Sequence, residues 1–319
     1  MKLPSWGTNQ PEFPGLSSQQ GFIHANRMEL FYERLGRTTD PPVLLLMGNS
    51  LPGFGWPDVF CHRLASSGFC VIRFDQRDTG LSTYIDFDTA PYTLDDLMND
   101  AFALLDSLGI ERVHLAGLSQ GGVVAYGMAL KQPARVLSLA TLMSSTDLRP
   151  KNDAFAGAPV REGELPRPSA EFVVQALALN ATPPATPEDV ATQFVENFRL
   201  AKGPRSPFDE QAWRALGQRV AAVPSLRRDR LTAAMATNGN HTRAQKASPT
   251  LQRNEIAALK QPVLIVHGGG DPIFPVAHAR WASAIIPNAK LLVIEDMGHA
   301  FDPAFFTPIA DALTSFWRQ

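Results

Sequence analysis

The amino-acid sequence predicts an α/β fold: a mostly parallel central sheet with helices on both faces, interrupted by an all-helical insertion. Three observations carry this. Short, continuous apolar runs alternate with helix-period patterns over 42–143 and again from 262 onward, as expected of strands covered on both faces. The stretch 113–130 passes from an apolar run through Gly117-Leu118-Ser119-Gln120-Gly121 into a helix-permissive run. That is the strand–turn–helix context of a nucleophile elbow. Between 144 and 259 the alternation stops, and a proline-rich segment offers helices but no convincing strand.

Composition sets the bounds. A chain of 319 residues can bury a large core, and doubly wound sheets reach this size as one unit. The formal charge is −2 with a pI near 6.4, and no long block of like charge occurs. A nucleic-acid surface or a polybasic membrane anchor is therefore not expected. Residues 1–20 carry one lysine and no apolar h-region, so they read as an extended arm rather than a signal peptide. No apolar run approaches the length of a membrane span. The two cysteines, Cys61 and Cys70, do not make a disulfide scaffold; they are expected reduced, in a helix and a strand of a cytoplasmic protein.

Taken in order, 21–35 reads as two strands joined at Ala25-Asn26-Arg27, an antiparallel edge hairpin in which Met28, Leu30 and Tyr32 alternate with polar neighbours. The run 42–47 is apolar throughout and ends in the turn Gly48-Asn49-Ser50. A helix is expected over 56–67, a buried strand over 69–74 and a polar loop over 75–82, where Asp75, Arg77 and Asp78 suggest an ion-paired corner. Thr93 begins a helix with Asp95 and Asp96 in its first turn, favourable at the positive end of the helix dipole. Its buried stripe is Leu97, Ala101, Leu104, Leu105 and Leu108. After the elbow come a helix and a strand over 136–143. Within the insertion, helices are predicted over 169–179, 186–200 and 209–223, with Thr186 capping the second and Pro187 at its first position. A strand over 262–266, a helix over 275–286, a strand over 290–294 and a closing helix over 307–317 complete the pattern. The expected organisation is an arm (1–20), a core (21–143 and 260–319) and a helical cap (144–259) lying over the ligand-binding edge of the sheet.

The chemistry follows from the elbow. A serine hydroxyl is a poor nucleophile at neutral pH, so Ser119 needs a base, and the base an orienting acid. In this sheet type both follow the serine in chain order, on loops after later strands. Of seven histidines, His299 lies in the loop directly after the last strand, in Gly298-His299-Ala300, and is the predicted base. His114 falls inside a buried strand, His24 and His62 precede the elbow, His278 reads as part of a surface helix and His241 as a solvated residue of the insertion. For the acid, Asp271 leads, in Asp271-Pro272-Ile273 after the strand at 262–266; Asp147 is its rival, and Asp296 stands too near His299 in sequence. An oxyanion hole needs two backbone N–H groups, and Gln120 and Asn49 are the candidates, the latter freed to approach by Gly48. The run His267-Gly268-Gly269-Gly270 leads straight into Asp271 and reads as the turn of the acid. The glycines are not spaced as a dinucleotide fingerprint, no P-loop is present, and no His/Cys/Asp grouping has metal-ligand spacing. Neither metal nor cofactor is expected. Leu51, Phe54, Met143 and Phe172 are candidate lining residues of an apolar cleft.

These pieces together resemble the α/β-hydrolases from Gly21 onward, and among them the aclacinomycin methylesterase-like serine esterases. The matching motifs are Met47-Gly48, Gly55-Trp56-Pro57-Asp58, Arg73-Phe74-Asp75-Gln76-Arg77-Asp78-Thr79-Gly80, Gly117-Leu118-Ser119, Asp271-Pro272-Ile273 and Gly298-His299-Ala300. The resemblance implies a serine carboxylesterase acting on small-molecule esters, with a helical cap and oxyanion amides at Asn49 and Gln120. The sequence departs from the branch at Asn49, where a second glycine is usual; a side chain there narrows the cleft mouth and leaves the backbone donor. The same Ser–His–Asp set also serves carbon–carbon bond hydrolases, lactonases and thioesterases, and a ligand-binding receptor can retain it.

Overall fold

The computed structural model describes residues 18–226 and 239–319. Most of the expected arm lies outside them; Ser18 to Gln20 already belong to the first strand. The described strands form one eight-stranded sheet in the order β1-β2-β4-β3-β5-β6-β7-β8. Their ranges are β1 Ser18–Ala25, β2 Met28–Leu35, β3 Pro42–Leu46, β4 Cys70–Phe74, β5 Val113–Leu118, β6 Val136–Leu142, β7 Val263–Gly268 and β8 Ala289–Ile294. β1 pairs antiparallel with β2, and β2 antiparallel with β4. From β4 through β8 every pairing is parallel.

Alternation within the strands divides the core. Val43 and Leu45 of β3 point to one face, where helix α1 (Asp58–Ser66) and the last helix, α11 (Phe306–Trp317), cover them. Leu44 and Leu46 point to the other face, under α2 (Leu94–Ser107), α3 (Gln120–Lys131) and α10 (Ala277–Ile285). Period-two geometry makes both halves of an apolar run useful, which is why these strands carry no polar face. Cys61 and Cys70 are free and buried, in α1 and β4.

Between β6 and β7 the chain forms α4 (Arg149–Phe155), α5 (Ala170–Leu179), α6 (Pro187–Ala201), α7 (Glu210–Leu226), α8 (Asn240–Ala247) and α9 (Arg253–Ala257). Thr186 and Asp189 close a reciprocal capping box at the start of α6. α6 and α7 pack onto the α1/α11 side of the core through Val190, Val195, Trp213 and Leu216. Trp213 is stacked between Phe198 and Phe208, and its indole N–H donates to Asp302 at 3.0 Å. Arg219 of α7 reaches Asp58 at the start of α1, at 3.3 Å. The insertion is thus tied to the sheet layer by buried polar contacts as well as by apolar packing. Among the described residues no helix is long and apolar enough to cross a membrane.

The corner at 75–82 differs from the ion-paired corner expected of it. Asp75 accepts the N–H groups of Gly53 (2.7 Å) and Leu81 (2.8 Å), and Asp78 accepts the N–H of Ile85 and the Tyr92 hydroxyl, both at 2.6 Å. The ion pair formed by Arg77 runs instead to Asp100 of α2, bidentate at 2.6 and 2.7 Å. The two loop carboxylates act as turn acceptors, and the cation finds its partner in the neighbouring helix.

Candidate active site

β3 and β5 are neighbours, yet the chain leaves β3 toward one edge of the sheet and β5 toward the other. Such a switch point opens a crevice at the carboxyl ends of the strands. The turn after β3 carries Gly48 and Asn49; the turn after β5 carries Ser119. Ser119 has φ 53° and ψ −121°, a sparsely populated region for a residue with a side chain. Its N–H donates to Leu142 O at 2.9 Å, and its own carbonyl accepts Gly122 N–H at 2.9 Å. The two flanking glycines are a matter of space: a Cβ on Gly117 would stand 2.2 Å from Gly121 O, and one on Gly121 would stand 2.1 Å from Leu46 O.

His299 follows β8 and is held from behind, its N–H donating to Ala201 O at the end of α6 at 2.8 Å. Its Nε2 lies 3.0 Å from Ser119 Oγ and its Nδ1 2.8 Å from Asp271 Oδ2. Asp271 is buried; its Oδ1 accepts the N–H groups of Ile273 and Phe274 at 2.8 and 2.9 Å. Burial works to raise this carboxyl, but His299, His267 and the Phe274 amide together hold it below the ordinary carboxylate value. The structure therefore brings Ser119, His299 and Asp271 into one hydrogen-bonded chain. It leaves the other acids out: Asp147 pairs with Arg149 at 2.6 Å, and the exposed Asp296 pairs with Arg205 at 2.9 Å.

His267 is the penultimate residue of β7, just before the Asp271 turn. Its Nε2 donates to Phe274 O at 2.7 Å, so it braces the turn whose amides hold Asp271. Burial lowers its pKa and keeps the ring neutral.

Two histidines stand where the sequence reading did not put them. His278, expected on a surface helix, is buried where α10 meets the insertion, bonded to Ser145 Oγ at 2.7 Å and Pro166 O at 2.8 Å. His241, expected in solvent, is fully buried. Its Nε2–H donates to Arg77 O at 2.8 Å, which leaves Nδ1 to accept Ser50 N–H at 3.0 Å and Gln120 Nε2 at 3.3 Å. Gln245, on the same face one turn along α8, donates to Gln120 Oε1 and, at 3.3 Å, to Asn49 Oδ1. Asn49 Nδ2 donates in turn to Thr242 Oγ1 at 3.1 Å. Helix α8 thus grips the side chains of both Asn49 and Gln120. The His241/Gln245 spacing was the available signal, but a short polar helix offers no apolar stripe to mark it as buried.

A cleft of about 540 Å³ opens above Ser119 and His299. Leu51 and Phe172 line it as expected. Phe54 and Met143 do not: both are buried in the core cluster between the sheet and α1. Phe54 lies beneath the Arg219 guanidinium, 4.3 Å from the ring centre, and Met143 lies fully beneath the surface at the end of β6. Two lysines also face the cleft, Lys151 of α4 and Lys246 of α8. Burial, with Lys246 adding to it, brings the Lys151 pKa down to about 8.

Known proteins are similar to this chain in sequence and fold. The family described as the alpha/beta hydrolase fold matches residues 41–301. The chain is 34% identical over 303 residues to the rhodomycin D methylesterase DauP of Streptomyces sp. (strain C5), covering 93% of this chain and 97% of that protein. It is 33% identical to DnrP, the corresponding methylesterase of Streptomyces peucetius, with the same coverage. Among solved structures, a 2-hydroxy-6-oxo-6-phenylhexa-2,4-dienoate hydrolase from Rhodococcus sp. strain RHA1 superposes with a TM-score of 0.72 at 20% identity, over 95% of this chain and all (100%) of that one. At this identity the superposition speaks for the fold alone. A sheet with its crevice at the switch point, a matching family over most of the chain and relatives aligned nearly end to end lead to one assignment: the chain belongs to the α/β-hydrolase family.

Proposed function

We propose that this α/β-hydrolase, a carboxylic-ester hydrolase, cleaves its substrate through an acyl-enzyme on Ser119. The observation that carries the reading is the pair of contacts at His299: Nε2 at 3.0 Å from Ser119 Oγ and Nδ1 at 2.8 Å from Asp271 Oδ2. An ionised Asp271 accepts from Nδ1–H, which leaves Nε2 with its lone pair toward the hydroxyl. As Ser119 Oγ attacks the ester carbonyl, His299 takes its proton, and the imidazolium that forms is stabilised by Asp271. His299 then hands the proton to the departing alcohol, and a water repeats the cycle on the acyl-enzyme.

The oxyanion falls to the N–H groups of Gln120 and Asn49. Gln120 opens α3, so its N–H is one of those with no partner inside the helix, at the positive end of the dipole. In the turn after β3, Ser50 N–H goes to His241 and Leu51 N–H to Gly48 O, and Asn49 N–H is the donor left to face Ser119. The turn is close enough: a Cβ on Gly48 would stand 3.3 Å from Ser119 Cβ.

The helices of 144–259 act as the cap. Leu148, Phe155, Phe172 and Phe194 supply apolar wall to the cleft, so moderately apolar small-molecule esters fit it, methyl esters included, as the relatives' names suggest. Two buried free thiols suit a reducing compartment such as the cytoplasm. The test is hydrolysis of a chain-length series of p-nitrophenyl esters by the wild type and Ser119→Ala. Turnover abolished by the substitution supports the acyl-enzyme; turnover that survives it overturns the mechanism.

A further inference from the structure

Among its described lining residues the cleft carries two cationic side chains and no carboxylate. Lys151 and Lys246 face it from α4 and α8. The acids of the neighbouring stretch are engaged elsewhere, Asp147 with Arg149 and Asp153 with Arg161. Lys151 Nζ donates to a neutral acceptor, Gln245 Oε1, at 2.8 Å. The same Gln245 amide bonds Gln120, the residue after Ser119, so the ammonium is wired to the rim of the reacting centre.

Lys151 is half-buried, and a cation partly withdrawn from water without a counter-charge is costly. Its pKa, lowered to about 8, registers that cost, yet at neutral pH the group still holds its proton. The remainder of the nearby wall is uncharged, with Leu148, Asn152 and Phe155 from the stretch around Lys151 and Thr242 from α8. In such a low-dielectric cleft two like charges focus a field that attracts an anionic ligand and repels a cationic one.

We propose that the cleft is built for an ester bearing a second, anionic group, a carboxylate, which Lys151 and Lys246 bind between them on the α8 side of Ser119. This rests on the esterase reading above and narrows its substrate class to carboxylate-bearing esters. The lysines act as specificity determinants: they hold the non-reacting end of the substrate, and Ser119 and His299 act on the ester.

The experiment compares kcat/KM for matched substrates. With the carboxylate on the acyl side, these are the mono-p-nitrophenyl ester of suberic acid, p-nitrophenyl octanoate and the p-nitrophenyl ester of ω-aminooctanoic acid. With the carboxylate on the alcohol side, they are 4-carboxyphenyl butanoate and phenyl butanoate. In at least one arm the anionic ester is expected to exceed its neutral match by ~10-fold or more, the size of a charge-assisted contact. The cationic ester falls below both. The preference shrinks as sodium chloride is raised, and it collapses in Lys151→Met/Lys246→Met. Because Lys246 is exposed, Lys246→Met alone keeps the test open if the double variant does not melt cooperatively, and a reduced ratio is expected there too. Equal rates in both arms, or a preference that persists without both lysines, overturns the proposal. Failure of the underlying reading looks different, because Ser119→Ala would then hydrolyse these esters as fast as the wild type.

Discussion

His241 Nδ1 accepts the backbone N–H of Ser50 at 3.0 Å while its Nε2–H donates to Arg77 O. A carbonyl can only accept, so the tautomer is set and the ring is neutral, in keeping with the lowering of its pKa by burial. A helix of the insertion therefore holds the turn that presents Asn49, and through Gln120 Nε2 it also holds the start of α3. His241→Leu removes the ring acceptor of the part-buried Ser50 amide. We expect kcat on p-nitrophenyl butanoate to fall roughly tenfold, less than the ~10²–10³ for outright loss of an oxyanion donor, with KM little changed. An unaltered kcat in a variant that folds normally by circular dichroism would show that α8 does not position the turn.

Asp271→Asn tests the other end of the chain of hydrogen bonds. Asp271 Oδ1 is held by two amide N–H groups, so the asparagine carbonyl takes that place and its NH₂ turns toward His299. Nδ1 then must accept, the proton moves to Nε2, and the lone pair that Ser119 needs is gone. A loss of about 10⁴ in kcat is expected, with the melting temperature close to wild type. Stopped or slow turnover with an unchanged rate constant for acylation would argue against this tautomer account.

Gly298→Ala probes how the insertion meets the His299 loop. A Cβ there would stand 2.0 Å from Lys202 O and 2.6 Å from Gly203 N, just beyond Ala201, whose carbonyl takes the His299 N–H. The clash is with backbone, which cannot rotate away. Overpacking of this kind costs typically 1–3 kcal/mol, so a lower urea midpoint is expected together with reduced kcat. Wild-type values of both would mean that the 202–203 backbone yields freely.

The buried histidines should lower stability on the acid side of neutrality, opposed in part by Asp75, whose carboxyl burial raises to about 6. Burial, with Arg112 adding to it, holds His114 down to about 4. His241, His267 and His278 are likewise lowered by burial. Each folded pKa lies below the unfolded value of about 6.5, so between the two the unfolded chain binds protons that the folded chain refuses. The stability present above pH ~6.5 is lost as pH falls toward the folded values. Urea midpoints measured at pH 7 and pH 5 should show the decrease, and His114→Gln should make it shallower. A midpoint that rises on acidification would contradict it.

The sequence by itself determined the layers and the order of the candidate site residues along the chain. Apolar runs such as 42–47 can be satisfied in a sheet covered on both faces, and the glycines around Ser119 suit a turn that tolerates no side chains at their positions. Those are local constraints, legible one segment at a time. They pointed to Ser119, His299 and Asp271 as candidates, with Asp147 still open. What tertiary structure decided is non-local. It paired Asp147 with Arg149 and set Asp271 against His299. It sent Phe54 and Met143 into the core, away from the cleft, and it buried His241 and His278. It also brought Lys151 and Lys246, far apart in sequence, to one cleft whose described lining residues include no carboxylate. The reason lies in the short, polar helices α4 and α8 of the insertion, which have no apolar stripe of their own, so their faces are assigned by what they pack against. Side chains that look solvated in the sequence become buried partners of the turns that carry Asn49 and Gln120 once α8 docks across the switch point.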